Sequence, residues 1–381
     1  MTMTKDLEQL PQIDLGLDKN ISAARVVVAM SGGVDSSVAA ALVKRAGYET
    51  IGITLQLYDT AGSPSRKGAC CAGQDIHDAR MVAAGLDIPH YVLDYESRFK
   101  EGVMDNFVES YLSGYTPIPC IRCNESVKFR DLLAQAKELG ADALVTGHYI
   151  ATTKEGDMWQ MHRPRDLARD QSYFLFSTTQ EQLGFLRFPL AHLTKDEIRN
   201  YATLLGLVVA DKPDSQDICF VPNGDYASVI KRLRPDCNLA GDIRHVDGTV
   251  LGQHQGVLHY TIGQRRGLGV ATGEPLYVVG IDAAARLVIV GERKDLARHK
   301  IFLEEVNWLG DKPLSGTPLP LLARIRSTGE PATATITKVE GKIIVELTEA
   351  EEGVSPGQAC VFYGAEESSR VLGGGWIIGA A

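Results

Sequence analysis

The run 25–30 (RVVVAM) passes directly into Ser31-Gly32-Gly33-Val34-Asp35-Ser36-Ser37, and a helix-like stretch follows that ends at Gly47. No other feature constrains the fold as tightly. A buried strand, a glycine pair and a helix start in immediate succession make a loop whose backbone can approach an anion closely. The helix N-terminus supplies unpaired N–H groups and partial positive charge. Ser31 and Ser36 add hydroxyl groups. Asp35 repels phosphate, so its place is to orient the loop or to help hold Mg²⁺. The pattern GxxxxGK(S/T) is absent, which excludes the kinase type of phosphate loop. The loop is read as a grip on a pyrophosphate.

The surrounding sequence repeats the strand–helix alternation. Strands are expected at 50–57, 89–94 and 143–146, and helices at 37–46, 74–84, 99–112 and 125–139. Repeated βα units imply a parallel sheet with helices on both faces, where ligands gather at the carboxyl ends of the strands. The glycine loop and Gly147-His148 both sit at such ends. Beyond about residue 220 the texture changes to short alternating runs such as TIGQRRGLGV, LYVVGID, RLVIVGE, LLARIRS, ATATITKV and KIIVELTE, punctuated by Pro318, Pro320, Pro331 and Pro356. These predict a small mixed α+β or β domain and then a β-barrel. The expected division is a loose leader at 1–22, an α/β nucleotide-binding domain at 23–220, a central small domain at 221–296 and a C-terminal β-barrel at 297–381.

A chain of 381 residues with 44% hydrophobic and 23% charged residues has ample material for more than one core. No apolar run is long enough for a membrane span, and the first residues lack a signal-peptide core, so a cytoplasmic location and reduced thiols are expected. The net charge of −9 argues mildly against a nucleic-acid partner, although a local basic stripe can sit on an acidic protein. Of the seven cysteines, Cys120 and Cys123 form a CxxC, and Cys219 lies in Asp214-Ser215-Gln216-Asp217-Ile218-Cys219-Phe220. Cys123 is placed just before a helix, with Arg122 and Lys128 nearby. Dipole and charge are expected to lower its pKa from about 8.5. A zinc site needs four ligands and would require Cys219 with a histidine or Cys237. Cys70-Cys71, Cys237 and Cys360 read as core positions. Arg163, Arg165 and Arg169 are the better phosphate candidates; for Arg265-Arg266 a phosphate contact and a turn paired with acidic neighbours are equally balanced.

At the glycine loop the sequence resembles the PP-loop ATP pyrophosphatases, whose fold is adenine nucleotide alpha hydrolase-like. TPxPCxRCN at 116–124, TGHY at 146–149, DQSYFL at 170–175 and SQDICF at 215–220 together resemble the tRNA-specific 2-thiouridylases within that superfamily. So do GDYxxxI at 224–230, HxGxxxYTIGQRRGLG at 254–269 and SPGQACVFY at 355–363. The resemblance implies ATP-dependent adenylation of the C2 oxygen of the tRNA wobble uridine, followed by sulfur delivery from a persulfide on Cys219. Cys123 then attacks, leaving a Cys123–Cys219 disulfide. It implies ATP contacts at Ala29, Met30, Ser31, Gly32, Gly33, Val34, Asp35, Ser36, Leu55 and Gly147, with Mg²⁺. It implies tRNA contacts at Ile118, Pro119, Cys120, Arg169, Asp170, Gln171, Arg326 and Ser327, supported by His148 and Gln358. Lysine, glutamate and glutamine acceptor tRNAs are the expected substrates, and a cysteine desulfurase or sulfur-relay protein the expected donor.

The chain departs from the family at two positions. Cys120 stands where many members have aspartate, and Ile118 where they have asparagine, which puts the base contacts of that stretch in doubt. The change also opens an alternative for the sulfur step, a 4Fe–4S cluster held by Cys120, Cys123 and Cys219 with one iron left to carry sulfide. Another PP-loop ligase or amidotransferase is the alternative function, in which the paired cysteines would be idle.

Overall fold

The computed structural model describes residues 10–58, 72–214, 218–221, 224–235, 237, 240–270 and 273–381. The chain divides into two compact units, 1–102 with 122–224, and 103–121 with 225–381.

In the first unit β1 (Arg25–Ala29), β2 (Glu49–Gln56), β3 (His90–Asp94), β4 (Ala143–Val145) and β7 (Leu186–Arg187) form one sheet in the order β3-β2-β1-β4-β7. Every neighbouring pair is parallel. The chain builds outward from β1 to β3 and then returns to place β4 on the other side of β1. That reversal makes the β1/β4 boundary the topological switch point, where a crevice opens for a ligand. The β1 register Val26↔Thr50 and Val26↔Ala143 seats its valines between both neighbours. The helix Val34–Ala46 follows and ends on Gly47, which takes φ 100° as a helix-terminating glycine. Val38, Leu42 and Val43 of this helix pack with Val26, Val28, Leu190 and Ile198 in the core. Leu10 and Leu15 are buried there too, and Leu15 N–H donates to Tyr48 Oη at 3.0 Å. The segment read as a loose leader is therefore packed from residue 10 onward, because Leu10 and Leu15 find an apolar face. An antiparallel hairpin, β5 (Ala151–Glu155) with β6 (Met158–His162), was not expected.

The second unit contains a four-stranded mixed sheet of β8 (Gly241–His245), β9 (Val250–His254), β10 (Tyr277–Asp282) and β11 (Leu287–Gly291), ordered β10-β11-β8-β9. Ile243, Val278, Val288 and Val290 form its core. The run TIGQRRGLGV, read as an alternating strand, is instead a loop. Gly263, Gly267 and Gly269 all take positive φ, which interrupts a ladder. The remaining strands, β12 (Ala297–Trp308), β13 (Leu319–Arg324), β14 (Ala332–Val339), β15 (Lys342–Glu352), β16 (Ala359–Gly364) and β17 (Arg370–Ala380), are antiparallel in the order β12-β15-β14-β13-β16-β17. β12 pairs with β17 and closes the barrel. Ile301, Leu321, Ile336, Val345, Phe362 and Ile377 fill its interior, and closure removes the exposed sheet edges. No helix among the described residues is long and apolar enough to cross a membrane.

Candidate active site

The glycine loop lies at the switch point. Gly32 has φ 75°, and a Cβ there would lie 2.1 Å from the carbonyl oxygen of Asp75, so only glycine fits. Gly33 caps the following helix in an extended conformation. Ser36 Oγ accepts from Ser31 N–H at 3.2 Å and donates to the Gly33 carbonyl at 3.2 Å, while the two serine hydroxyls lie 3.1 Å apart. Gly147, just past β4, is pressed on the loop from the other side: a Cβ on it would be 2.7 Å from Ser36 N. Thr54 Oγ1 donates to the Met30 carbonyl at 2.7 Å, which sets Leu55 on the strand beside the loop entrance. Ala29–Ser36, Leu55 and Gly147 are thus brought to one end of the sheet.

Asp35 does not face open space. Both of its oxygens accept from Lys195 Nζ, at 2.7 and 2.9 Å, and Tyr149 Oη donates to Oδ1 at 2.7 Å. Burial, followed by the charge of Asp35, raises the Tyr149 pKa. Lys195 also pairs with Asp214 at 2.8 Å, and Arg169 and Arg199 bind the same carboxylate at 3.0 and 2.9 Å. Desolvation pushes Asp214 up, but Lys195, Arg169 and Arg199 outweigh it and leave the carboxyl below its ordinary range. Lys212 makes a second clasp: its Nζ donates to the Gly32 carbonyl at 3.0 Å and to Asp75 at 2.7 Å, and pairs with Asp78. The sequence did not single out Lys195 or Lys212, and it gave Tyr149 only as the end of TGHY, with no role. The available signal was chemical: an aspartate in an anion-binding loop needs a cationic partner.

The cysteines are placed differently from the expectation. The helix begins at Pro119, runs as Pro119–Arg122 and widens into a π-helical stretch at Cys123–Leu132. Cys123 therefore lies inside the helix and Cys120 in its first turn; proline is well suited to that first position. Burial pushes the Cys123 thiol up, opposed by Lys128, so the depressed pKa predicted for it is not found. Arg122 is paired with Glu125 at 3.1 Å, and Lys128 donates to Asn124 Oδ1 at 3.0 Å. Cys219 is half-buried, and its carbonyl accepts from Tyr58 Oη at 2.9 Å. Phe220 next to it packs edge-on against Phe99. Cys120, Cys123, Cys219, Cys237 and Cys360 are all thiols, and no disulfide joins described cysteines. Cys360 is buried in the barrel core. Cys70-Cys71 and Ser215–Asp217 lie outside the described residues.

No group of three or more histidine, cysteine, aspartate or glutamate side chains is placed to hold a metal ion among the described residues. Asp35 is engaged by Lys195 through both oxygens, so it braces the loop and does not present a vacant carboxylate to Mg²⁺.

The expected RNA-binding residues divide between the units. In the first, His148 Nδ1 is 2.9 Å from Thr146 Oγ1, and burial, with Lys128, lowers its pKa to about 3. Its imidazole is neutral at physiological pH. Gln171 Oε1 accepts from Tyr149 N–H at 2.8 Å. Asp170 pairs with Arg163 at 2.8 Å, and Arg165 pairs with Glu197 at 3.3 Å. In the second unit are Ile118, Pro119 and Cys120, with Arg326, Ser327 and Gln358. Arg326 pairs with Glu351 at 3.3 Å, and the Ser327 carbonyl accepts from Arg324. Gln358 Nε2 donates to the Thr116 carbonyl at 2.8 Å, and Thr116 N–H donates to the Pro356 carbonyl at 2.8 Å. The SPGQ turn thus fixes the strand of chain that leads into the Cys120 helix.

A parallel α/β sheet with an SGGVDS loop at its switch point defines a PP-loop nucleotide-binding protein. The family models for the tRNA methyl transferase HUP domain, its PRC-barrel domain and the aminomethyltransferase beta-barrel domain match residues 24–223, 228–292 and 298–377. The tRNA-specific 2-thiouridylase MnmA of Nitrobacter winogradskyi is 60% identical over 95% of this chain and 92% of its own. That of Parvibaculum lavamentivorans is 59% identical over 93% and 90%. The chain belongs to the tRNA-specific 2-thiouridylase family. Among solved structures, NMN synthetase from Francisella tularensis is 18% identical, covering 57% of this chain and 79% of its own, with a TM-score of 0.34. A 4-thiouridine synthetase in complex with RNA and ATP is 19% identical over 56% and 51%, with a TM-score of 0.33.

Proposed function

We propose that this chain uses ATP to convert the wobble uridine of tRNA to 2-thiouridine, with sulfur carried on Cys219. The observation that carries this reading is one unit holding both an intact PP-loop, packed against Gly147, and the thiols of Cys123 and Cys219. The uridine O2 attacks the α-phosphorus of ATP, and pyrophosphate leaves from the loop. A donor such as a cysteine desulfurase or relay protein has meanwhile placed a second sulfur on Cys219. That terminal sulfur, as an anion, adds to C2, and AMP departs with the original oxygen. Cys123, once deprotonated, attacks Cys219 Sγ; the S–S electrons remain with the sulfur on C2, giving 2-thiouridine and a Cys123–Cys219 disulfide. An external dithiol restores both thiols. The accessibility difference supports the division of labour, since half-buried Cys219 can meet a donor and buried Cys123 is kept as a thiol until it is needed. No step is assigned to a protein-held Mg²⁺ or to an iron–sulfur cluster. Lysine, glutamate and glutamine acceptor tRNAs are the proposed substrates and the cytoplasm the proposed location.

The test is thiolation of unmodified tRNA with ATP and a persulfide donor. Cys219→Ser should abolish 2-thiouridine while still releasing pyrophosphate in a tRNA-dependent manner. Wild-type 2-thiouridine formation by that variant would refute the persulfide assignment.

A further inference from the structure

The loop at 260–270 is tightly wired for a segment outside any strand. Gly263 N–H donates to the Val278 carbonyl at 2.8 Å, and Val278 N–H returns to the Gln264 carbonyl at 2.9 Å. Gln264 then holds the turn from within. Its Oε1 accepts from Thr261 N–H and its Nε2 donates to the Arg266 carbonyl, both at 3.0 Å. Positive φ at Gly263, Gly267 and Gly269 lets the chain reverse around that side chain. At the base of the turn, Tyr260 and Leu268 are buried in the core of the four-stranded sheet. Between these anchors Arg265, Arg266 and Gly267 are exposed. Neither guanidinium makes a hydrogen bond or an ion pair among the described residues. Other arginines of the chain differ. Arg163, Arg165 and Arg169, the cluster that the sequence favoured for phosphate, pair with Asp170, Glu197 and Asp214. In the second unit Arg293, Arg326 and Arg370 pair with Glu352, Glu351 and Asp311. On a chain of net charge −9, acidic partners are not scarce. A fixed turn that keeps two adjacent guanidiniums apart from them fits an anion supplied from outside.

We propose that Arg265 and Arg266 form a contact for the phosphate backbone of the substrate tRNA. The identity of the polyanion rests on the proposed function. An exposed turn does not enclose a free phosphate ion, so its affinity for one phosphate is low. Along a polyanion the same contact is one of several, and each releases condensed counterions. A guanidinium presents a planar fork of donors that matches two phosphate oxygens at once. Fixing the backbone of the turn beforehand lowers the ordering cost of binding. Phosphate contacts carry no sequence information directly, so the pair sets affinity and orientation rather than the choice of tRNA.

The experiment measures binding of unmodified tRNA to the full chain, without ATP, by fluorescence anisotropy over a series of salt concentrations. Arg265→Gln combined with Arg266→Gln should weaken binding about fivefold for each arginine near 0.15 M salt. The slope of log affinity against log salt should become shallower by about one for each. Arg265→Lys combined with Arg266→Lys should restore the slope, because the charges return. Lys300→Gln removes an exposed cation that is already paired with Glu346, and should leave the slope in place. Unchanged affinity and slope in the double glutamine variant overturn the proposal. So does an equal loss in Lys300→Gln, which would make the effect one of net charge, or a lysine variant as weak as the glutamine one. Wild-type binding without formation of 2-thiouridine would count against the proposed function and leave this readout intact.

Discussion

Cys123 and His148 both sit where burial sets their protonation, and in each case burial opposes charge. For His148 the folded pKa is lowered to about 3 from 6.5, with Lys128 adding to the effect of burial. The unfolded chain therefore binds a proton near pH 6.5 that the folded chain refuses until about pH 3. Stability from the neutral imidazole is full above pH 6.5 and is lost as pH falls toward 3. His148→Asn, which keeps a polar atom near Thr146, should show a shallower loss of stability across that window in urea midpoints measured at successive pH values. An unchanged slope would mean that His148 protonates freely in the folded state. The same neutrality predicts that thiolation between pH 6 and 8 carries no titration of His148.

At the scale of elements, the nucleotide loop was legible because its information is local. Strand, glycine pair and helix start fall within a dozen residues, and the glycine conformations needed are written as glycines. The clasp beneath it was not legible, since Lys195 lies 160 residues from Asp35 and its sequence context, a capping box, speaks only of a helix start. The cysteine helix begins at Pro119 and not at 125, nearly two turns earlier than expected. Pro119, suited to a first helical position, was the available signal for the earlier start that puts Cys123 inside. The loop at 260–270 was misread in the opposite sense, its β-branched and apolar residues outweighing three glycines. Gly147 offers the sharpest test of the loop's packing. Gly147→Ala puts a methyl group against Ser36 N, an overpacking that costs about 1–3 kcal/mol. ATP affinity by calorimetry should fall about tenfold or more, corresponding to ~1.4 kcal/mol. Wild-type affinity would show that the loop and Gly147 separate without cost.

At the scale of the whole chain, the two units have separate cores, one around β1 and the helix Val34–Ala46, the others in the β sheet and barrel. Ligand that binds one folded unit stabilises that unit by mass action. Scanning calorimetry should therefore resolve more than a single two-state transition, and a non-hydrolysable ATP analogue should raise the transition of the first unit and leave that of the second in place. A uniform upward shift of one sharp transition would show that the units unfold as one.

The hydrogen bond from Gln358 to the Thr116 carbonyl spans 242 positions of chain. During synthesis at about 5–20 residues per second, Thr116 waits tens of seconds for the turn that fixes it. The PP-loop, Lys195 and Cys219 have all been made by then. An unfinished chain can thus assemble the part that consumes ATP while the approach to the Cys120 helix is still unanchored. Chains truncated before Gln358 lack the donor that holds the Thr116 carbonyl.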